Sequence, residues 1–261
     1  MIIFGGVQLW SQLIYVLLSV NVSRPRRLQI ATEYFIDQER YFYLLFFHIN
    51  TVMFIGCVVM VATGTMLVAY LHHACGMFKI ASYRIEKAIQ IYEEKRINLK
   101  NEFLAHKTMI HAVDIHRKAL TFSNDLISTF EISFMLLIVI GVLSLSLNIY
   151  RVFQLLLFGY NKEEFLVNLA VAFVCTVYMF TANFMGQQII DHNNHIYVTA
   201  YNVRWYITPL RIQKLILFLL QRGNKSFGLC VGGLFVASIE CFATLANASL
   251  SYFTVMYSMQ S

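Results

Sequence analysis

Five long stretches of the chain are apolar and, apart from one glutamate in the last, contain no Lys, Arg, Asp or Glu. Each is long enough for the ~20 residues with which a helix crosses the hydrocarbon core of a membrane. The pattern therefore predicts an all-α fold, a polytopic membrane helix bundle with five transmembrane helices. These predicted spans lie within residues 1–23, 41–76, 132–150, 165–190 and 226–261.

Polar side chains recur along the last of these helices, which we expect to run from Leu229 to Tyr257. Their spacing alternates between four and three residues, so at about 100° per residue they share one narrow sector of the helix. Lipid offers hydroxyls and amides no hydrogen-bond partner, and the stripe therefore faces water or protein. It fits either a pore lining or a seam that packs two transmembrane helices together. This polar stripe consists of Glu240, Thr244, Asn247, Ser251, Thr254 and Ser258.

Composition supports the membrane assignment and gives the chain an orientation. Hydrophobic residues make up 58% and charged residues 13%, with a mean hydropathy of +0.61, whereas soluble domains carry about 25% charged residues. If the spans alternate in direction, one face of the membrane collects 14 Lys and Arg in its connections and the other collects 6. The richer face is expected to be cytoplasmic, which places the C-terminus outside. This also accounts for the net charge of +6 without a nucleic-acid partner.

One local charge pattern disagrees with that orientation. Arg24, Arg26 and Arg27 directly follow the first predicted span, on the side expected to be extracellular. The conflict disappears if further helices precede this sequence and have already set the topology. A signal peptide at 1–20 is disfavoured, because a positive start and an A-x-A-like cleavage site are missing.

The two basic connections are predicted to be helical and to pack together in the cytoplasm. The first, Lys79–Asp125, is either one long amphipathic helix or two helices joined near 98–101. The second, 191–227, is expected to contain a helix, a break at Thr208-Pro209, and a further helix from Leu210 that Gly223 ends.

Residues that could carry chemistry are few. Two groups have metal-ligand side chains, but neither brings a second pair at the spacing of known zinc sites, so no metal or other cofactor is expected. No nucleophile elbow or phosphate-binding glycine loop occurs, and we predict no enzyme activity. Three histidines at five-residue intervals, His106, His111 and His116, are expected on a solvated helix surface. The two groups with metal-ligand side chains are Asp191, His192 and His195, and His72, His73 and Cys75.

Aromatic side chains with scattered polar tips fill the outer halves of several predicted spans. A pocket for a small apolar ligand has this character, with few polar groups among many rings. Tyr and Trp belts at membrane interfaces give the same pattern without a ligand. The candidate ligand-binding residues are Gln12, Tyr15, Tyr43, Phe46, Phe47, His48, Phe173 and Tyr178.

Several motifs resemble those of the insect odorant receptor family. The resemblance extends over most of the chain beyond residue 40, and the expected extracellular C-terminus agrees with the inverted topology of that family. The motifs are His73-Ala74-Cys75-Gly76, Tyr83-Arg84-Ile85-Glu86, Trp205-Tyr206 with Pro209, Leu217-Phe218-Leu219-Leu220-Gln221-Arg222, Gly232-Gly233-Leu234-Phe235, and Ser251-Tyr252-Phe253.

The resemblance implies seven spans, of which the five here match the third to the seventh. It further implies a heterotetramer with the shared odorant co-receptor, in the plasma membrane of olfactory sensory neurons, that opens a cation pore when a small volatile odorant binds. The last helix would line the pore, with a gate near Val255. The implied regions are 1–72 (third and fourth helices), 73–125 (cytoplasmic anchor), 126–190 (fifth and sixth helices), 191–228 (anchor) and 229–261 (pore helix and extracellular tail).

Two other functions remain open at this point. A G-protein-coupled chemoreceptor would also bind a ligand, but it needs a cytoplasmic C-terminus, which the distribution of Lys and Arg opposes. A nonfunctional fragment of an odorant receptor is the other alternative.

Overall fold

The structure is a computed structural model, and it describes residues 40–94, 99–158, 162–225 and 227–259. These residues contain one proline, Pro209, and no proline interrupts the three longest helices, of 53, 60 and 41 residues. In chain order the elements are α1 (Phe42–Glu94), α2 (Leu99–Phe158), α3 (Lys162–Asn202), a 3₁₀ turn (Trp205–Ile207), α4 (Leu210–Gly223), β1 (Cys230–Val231), β2 (Phe235–Val236) and α5 (Ile239–Ser258). The predicted all-α class is confirmed.

Three of the described helices are long and apolar enough to cross a membrane. They are Tyr43–Glu93 in α1, Leu99–Leu157 in α2 and Glu164–Asn202 in α3, and they contain the second, third and fourth predicted spans. The first predicted span lies outside the described residues. α5 is not one of the three, and its 20 residues correspond to the fifth predicted span.

The chain divides into two compact units, Met1–Val68 and Ala69–Ser261, and α1 runs from the first into the second. In the first unit most described side chains of α1 are exposed, while Leu45 is buried. Hydroxyls such as Thr51 donate to the carbonyl four residues earlier, which satisfies them within an apolar helix.

In the second unit, α2, α3 and α5 share an apolar core. Its buried centre is formed by Val142 and Leu145 of α2, Met179 of α3 and Leu245 of α5. A second core joins the later part of α1 with α2, α3 and α4. Its largest fully buried apolar side chains are Phe78, Ile85, Met109, Ile189, Ile196, Ile212 and Ile216.

A buried polar contact ties α1 to α3 in this second core. Ser82 Oγ lies 2.8 Å from Thr199 Oγ1 and 3.1 Å from His195 Nδ1. Ser82 and Thr199 are both buried, so each hydroxyl gives the other the partner that a buried polar group needs. The two connections predicted to pack together are thus in contact.

The first connection forms two helices, the second of the two alternatives. α1 ends at Glu94 and α2 begins at Leu99. Phe78 packs on His116 with ring centroids 5.9 Å apart, and further from the connection Tyr70 packs on Phe122 at 6.3 Å. The contact nearer the connection joins residues 78 and 116, and the contact further from it joins residues 70 and 122. α2 therefore runs back along α1 in the opposite direction.

His116 belongs to a buried cluster with Asn193 and Tyr197 of α3. Its Nε2 lies 3.1 Å from Oδ1 of Asn193, to which the Tyr197 hydroxyl donates at 3.3 Å. The expectation that His116 lies on a solvated surface was wrong, since it is 3% exposed. Histidines five residues apart point in different directions from a helix, and this one faces the core. Burial lowers the pKa of His116, and the Asn193 hydrogen bond opposes that effect only in part.

The predicted break in the second connection is confirmed. α3 ends at Asn202, and α4 begins at Leu210 directly after Pro209. The free carbonyl of Thr208 accepts a hydrogen bond from Gln213 Nε2 at 2.8 Å. α4 ends at Gly223, as expected.

A small antiparallel β-hairpin precedes α5, with Cys230 opposite Val236 and Val231 opposite Phe235. Gly232 and Gly233 lie between the strands with φ of +62° and +67°, a region that glycine adopts without strain. A side chain on Gly232 would also collide with Met135 of α2, whose Sδ lies 2.5 Å from the position of an added Cβ.

The predicted start of the last helix at Leu229 was wrong. The helix begins at Ile239, and the residues before it form the hairpin. Ser238 caps it, with an extended backbone and with Oγ accepting from the Cys241 N–H at 3.1 Å. The apolar run taken alone suits a helix. The turn at the two glycines and the cap at the serine instead place the start of the helix at Ile239.

Candidate functional site

One face of α5 packs against its own bundle. Leu245 is 5% exposed in the shared core, and Ser249 is fully buried. Phe242 packs on Phe180 of α3 with ring centroids 5.4 Å apart. At the other end of the helix, Phe153 of α2 contacts Phe253 at 5.5 Å. The inward side of α5 is thus fixed along its length.

The polar stripe lies on the outward side. All six of its residues are exposed: Glu240, Thr244, Asn247, Ser251, Thr254 and Ser258. Val255, beside Thr254, is 54% exposed. In a membrane this outward side of α5 meets lipid, another subunit or water.

The hydroxyls of the stripe donate to carbonyls of their own helix. Thr244 donates to Glu240 at 3.0 Å, Ser251 to Asn247 at 3.0 Å, and Thr254 to Ser251 at 2.8 Å. A hydroxyl that has used its hydrogen retains acceptor lone pairs. The outward surface therefore presents oxygen acceptors, which suit a cation better than an anion.

Glu240 and Asn247 differ from the hydroxyls, because their side chains have no hydrogen-bond partner among the described residues. Glu240 lies in the first turn of α5, where the helix dipole stabilises a negative charge by about 0.3–1 kcal/mol. The dipole does not supply the hydrogen bonds that an ionised carboxylate needs when it leaves water. Glu240 therefore needs water, a cation or a partner from another chain.

The candidate ligand-binding residues are distributed over two helices of the described chain and the segment before them. Gln12 and Tyr15 lie outside the described residues. Four others belong to α1 in the first unit: Tyr43, Phe46, Phe47 and His48. On α3, Phe173 is 68% exposed and Tyr178 is half-buried. Five residues along a helix turn a side chain by about 500°, so these two face different directions, and their assignment to a pocket stays a prediction.

The possible metal ligands have other contacts. Gln187 Nε2 donates to Asp191 Oδ1 at 2.8 Å, and His195 lies against Ser82 and Thr199. In the described part of the chain no three His, Cys, Asp or Glu side chains come together as metal ligands. A cleft of about 270 Å³ lies elsewhere, between Glu86 and Glu93 of α1 and Arg204 after α3.

Comparison with known proteins decides the family. The family profile described as 7tm Odorant receptor matches residues 1–250. The chain belongs to the odorant receptor family. Odorant receptor 10 of Aedes albopictus is 26% identical over 96 residues, which are 37% of this chain and 26% of that relative. The insect olfactory receptor OR5 from Machilis hrabei, solved in complex with eugenol, matches with a TM-score of 0.70 and 13% identity over 98% of this chain and 63% of OR5.

Family membership confirms the resemblance seen in the motifs. It places the chain in a family of multi-pass membrane receptors and not in an enzyme family. The likeness to OR5 shows that this odorant receptor shares its fold. The chain spans less than two thirds of the length of both relatives.

Sequence reasoning missed three side chains that hold α5 in place. They are Phe153 of α2 and the amides Asn183 and Gln187 of α3, which lie against the start of α5. Asn183 carries a signal in the sequence, since an amide inside an apolar run needs a protein partner in the membrane. Nothing in the sequence indicates that the partner is α5.

Proposed function

We propose that this odorant receptor is a subunit of an odorant-gated cation channel whose pore is lined by the polar stripe of α5. One observation carries the proposal: the six stripe residues face away from the bundle to which α5 belongs. A seam within this chain would bury that face against α2 or α3. An outward stripe has to meet water or another subunit.

The chemistry of the stripe supports conduction of cations. Its hydroxyl oxygens keep acceptor lone pairs toward the outside, and Glu240 adds a carboxylate at one end. Carboxylates that line a pore raise the local cation concentration and favour cations over anions. Val255 is the proposed gate, as the family resemblance implies. It is exposed beside Thr254 of the stripe, and an apolar ring at that level of the pore would close by loss of water.

A single α5 cannot enclose a path, so the pore requires several subunits. We take the assembly to be a heterotetramer with the odorant co-receptor, in the plasma membrane of olfactory sensory neurons. The activating ligand is a small volatile odorant, bound among the aromatic residues of the outer halves of the spans. The OR5 structure with eugenol supports a ligand of this size. The distribution of Lys and Arg supports an extracellular C-terminus.

Thiol accessibility in the full-length receptor, co-expressed with the co-receptor, tests the proposal. The five native cysteines, all free thiols, are first replaced, and single cysteines are introduced along α5. A charged methanethiosulfonate reagent should modify the stripe positions and change the current evoked by eugenol or by a panel of volatile esters, alcohols and terpenes. Cysteines at Leu245 and Phe253 are matched controls on the inward side and should not react. Reagent applied from outside should reach Ser258→Cys before Glu240→Cys.

Two substitutions distinguish the pore from a seam between subunits. Glu240→Gln should reduce the single-channel cation conductance and leave odorant sensitivity nearly unchanged, whereas in a seam it would lower surface expression at unchanged conductance. Val255→Ser should raise the current without odorant, because a polar side chain keeps the constriction wet. Unreactive stripe cysteines in a receptor that carries normal current would contradict the proposed pore.

A further inference from the structure

The segment that enters α5 lies on one face of α3. Asn183 and Gln187 are four residues apart on that face, with Gly186 between them, so all three side-chain positions point the same way. Their contacts are with Ala237 and Ser238, which precede α5, and with Ile239, its first residue.

Each of the two amides is oriented by its own helix. Nδ2 of Asn183 donates to the Met179 carbonyl at 2.9 Å, and Nε2 of Gln187 donates to Asp191 Oδ1 at 2.8 Å. With both NH₂ groups engaged, the amide oxygens are left to accept from α5. Oδ1 of Asn183 accepts from the Ser238 N–H and Oε1 of Gln187 from the Ile239 N–H, each at 3.4 Å.

These acceptors serve two backbone N–H groups at the N-terminus of α5. The first N–H groups of a helix have no partner within the helix and require acceptors from elsewhere. Ser238 Oγ serves the N–H of Cys241, but no acceptor on α5 itself serves the N–H groups of Ser238 and Ile239. The amide pair, Asn183 and Gln187, supplies both from α3.

Gly186 makes the close approach possible. An added Cβ at Gly186 would lie 2.4 Å from the Ala237 carbonyl oxygen and 2.5 Å from Ala237 Cβ. No flexible side-chain end can move away there, because the nearest atoms belong to the backbone and to a Cβ. The entering segment therefore sits at one height on α3, where the two N–H groups meet the two amide oxygens.

We propose that Asn183 and Gln187 are positioning residues that set the height and rotation of α5, and thereby select which of its side chains face the pore. This inference rests on the proposed pore function of the stripe. A slip of α5 by one residue would rotate each position by about 100° and move the stripe off the path. The aromatic contacts of α5 tolerate small rotations, whereas a pair of directed hydrogen bonds favours one register.

The test compares neighbouring positions on α5 in the full-length receptor with its co-receptor. Thr244→Cys lies on the stripe and Ala243→Cys beside it. The reaction rate of Thr244→Cys with a charged methanethiosulfonate, divided by that of Ala243→Cys, reports the rotation of the helix. Loss of one hydrogen bond shifts an equilibrium by about 2- to 10-fold. Gln187→Met and Asn183→Leu should each lower the rate ratio by about that factor.

The controls separate positioning from general damage. Gln187→Glu combined with Asp191→Asn keeps an acceptor for the Ile239 N–H, favoured at a helix N-terminus, and should restore the wild-type ratio. The second change is needed because Gln187 Nε2 donates to Asp191 Oδ1, and Gln187→Glu alone would set two carboxylates against each other. Gln188→Met changes the adjacent glutamine, which makes no hydrogen bond to the segment entering α5, and should leave the ratio unchanged. If Gln187→Met does not reach the cell surface, Gln187→Asn shortens the side chain by one methylene and gives the same readout.

The outcomes also separate this inference from the proposed function. An unchanged ratio in both Gln187→Met and Asn183→Leu, at normal surface level, would overturn the positioning role and leave the pore standing. If Thr244→Cys is unreactive in the otherwise unaltered receptor, the pore itself fails. A ratio lowered in Gln187→Met and not restored in the Gln187→Glu, Asp191→Asn double variant would overturn the role of the Gln187 oxygen as the acceptor.

Discussion

Leu245 and Leu250 provide a direct test of which side of α5 faces the bundle. Both are leucines in the same helix, but Leu245 is 5% exposed and Leu250 is 50% exposed. Leu245 packs against Val142, Leu145 and Met179. Truncation of Leu245 to alanine should therefore destabilise the protein, and the same truncation of Leu250 should do little.

The magnitude follows from the surroundings of Leu245. In soluble cores Leu→Ala costs about 2.7–5.0 kcal/mol, where the lower value is the transfer from water and the remainder is the cavity. Lipid and detergent are as apolar as leucine, so the transfer part largely vanishes in a membrane. The cavity part is about 0–2.3 kcal/mol. Three helices confine this site, and we expect about 1–2 kcal/mol for Leu245→Ala.

The assay is thermal denaturation of the detergent-solubilised full-length receptor, followed by fluorescence-detected size-exclusion chromatography. For a protein of this size, 1 kcal/mol corresponds to about 2–4 °C in Tm, so Leu245→Ala should lower Tm by about 2–8 °C. An exposed truncation lies within about 0.5 kcal/mol of zero, which limits Leu250→Ala to about 2 °C. A decrease at Leu250→Ala as large as that at Leu245→Ala would refute the assigned orientation of α5.

Two further predictions concern parts of the fold away from the stripe. The folded-state pKa of His116 is lowered by burial from 6.5, so on acidification the unfolded state takes up this proton first. The His116 contribution to stability is then complete above pH 6.5 and decreases as the pH falls toward the folded pKa. When Tm is measured from about pH 7.5 to about pH 5.5, it should therefore fall less in His116→Gln than in the wild type. At the hairpin, Gly232→Ala and Gly233→Ala both force alanine into positive φ, which costs about 1–3 kcal/mol. Gly232→Ala also has to displace the Met135 side chain, so it should lower Tm at least as much as Gly233→Ala, and a clearly smaller loss would contradict that contact.

Local patterns in the sequence determined much of this receptor. Three of the five apolar runs that predicted spans fall on α1, α2 and α3, because the length and hydrophobicity of a segment are properties of that segment alone. The start of α4 directly after Pro209 has the same kind of reason, since the proline ring fixes the local backbone. The polar stripe was also readable, because the period of a helix is fixed.

Two other features were predicted wrongly from the sequence. The five-residue spacing of the histidines indicated no burial, yet His116 is enclosed by α1 and α3. The start of α5 was misplaced because an apolar run suits strand or helix, and the glycine turn together with the Ser238 cap decided between them. The burial of His116 thus depends on residues distant in the sequence, whereas the start of α5 is set by the local turn and cap.

The direction of the stripe is the clearest case of this division. The sequence by itself determined that six polar residues share one side of the last helix, because 100° per residue holds for any α-helix. Only the tertiary structure decided that this side faces outward, since that depends on Leu245 meeting Val142, Leu145 and Met179. Packing between helices is set by side chains on several elements at once, and the period of one helix contains no information about its partners.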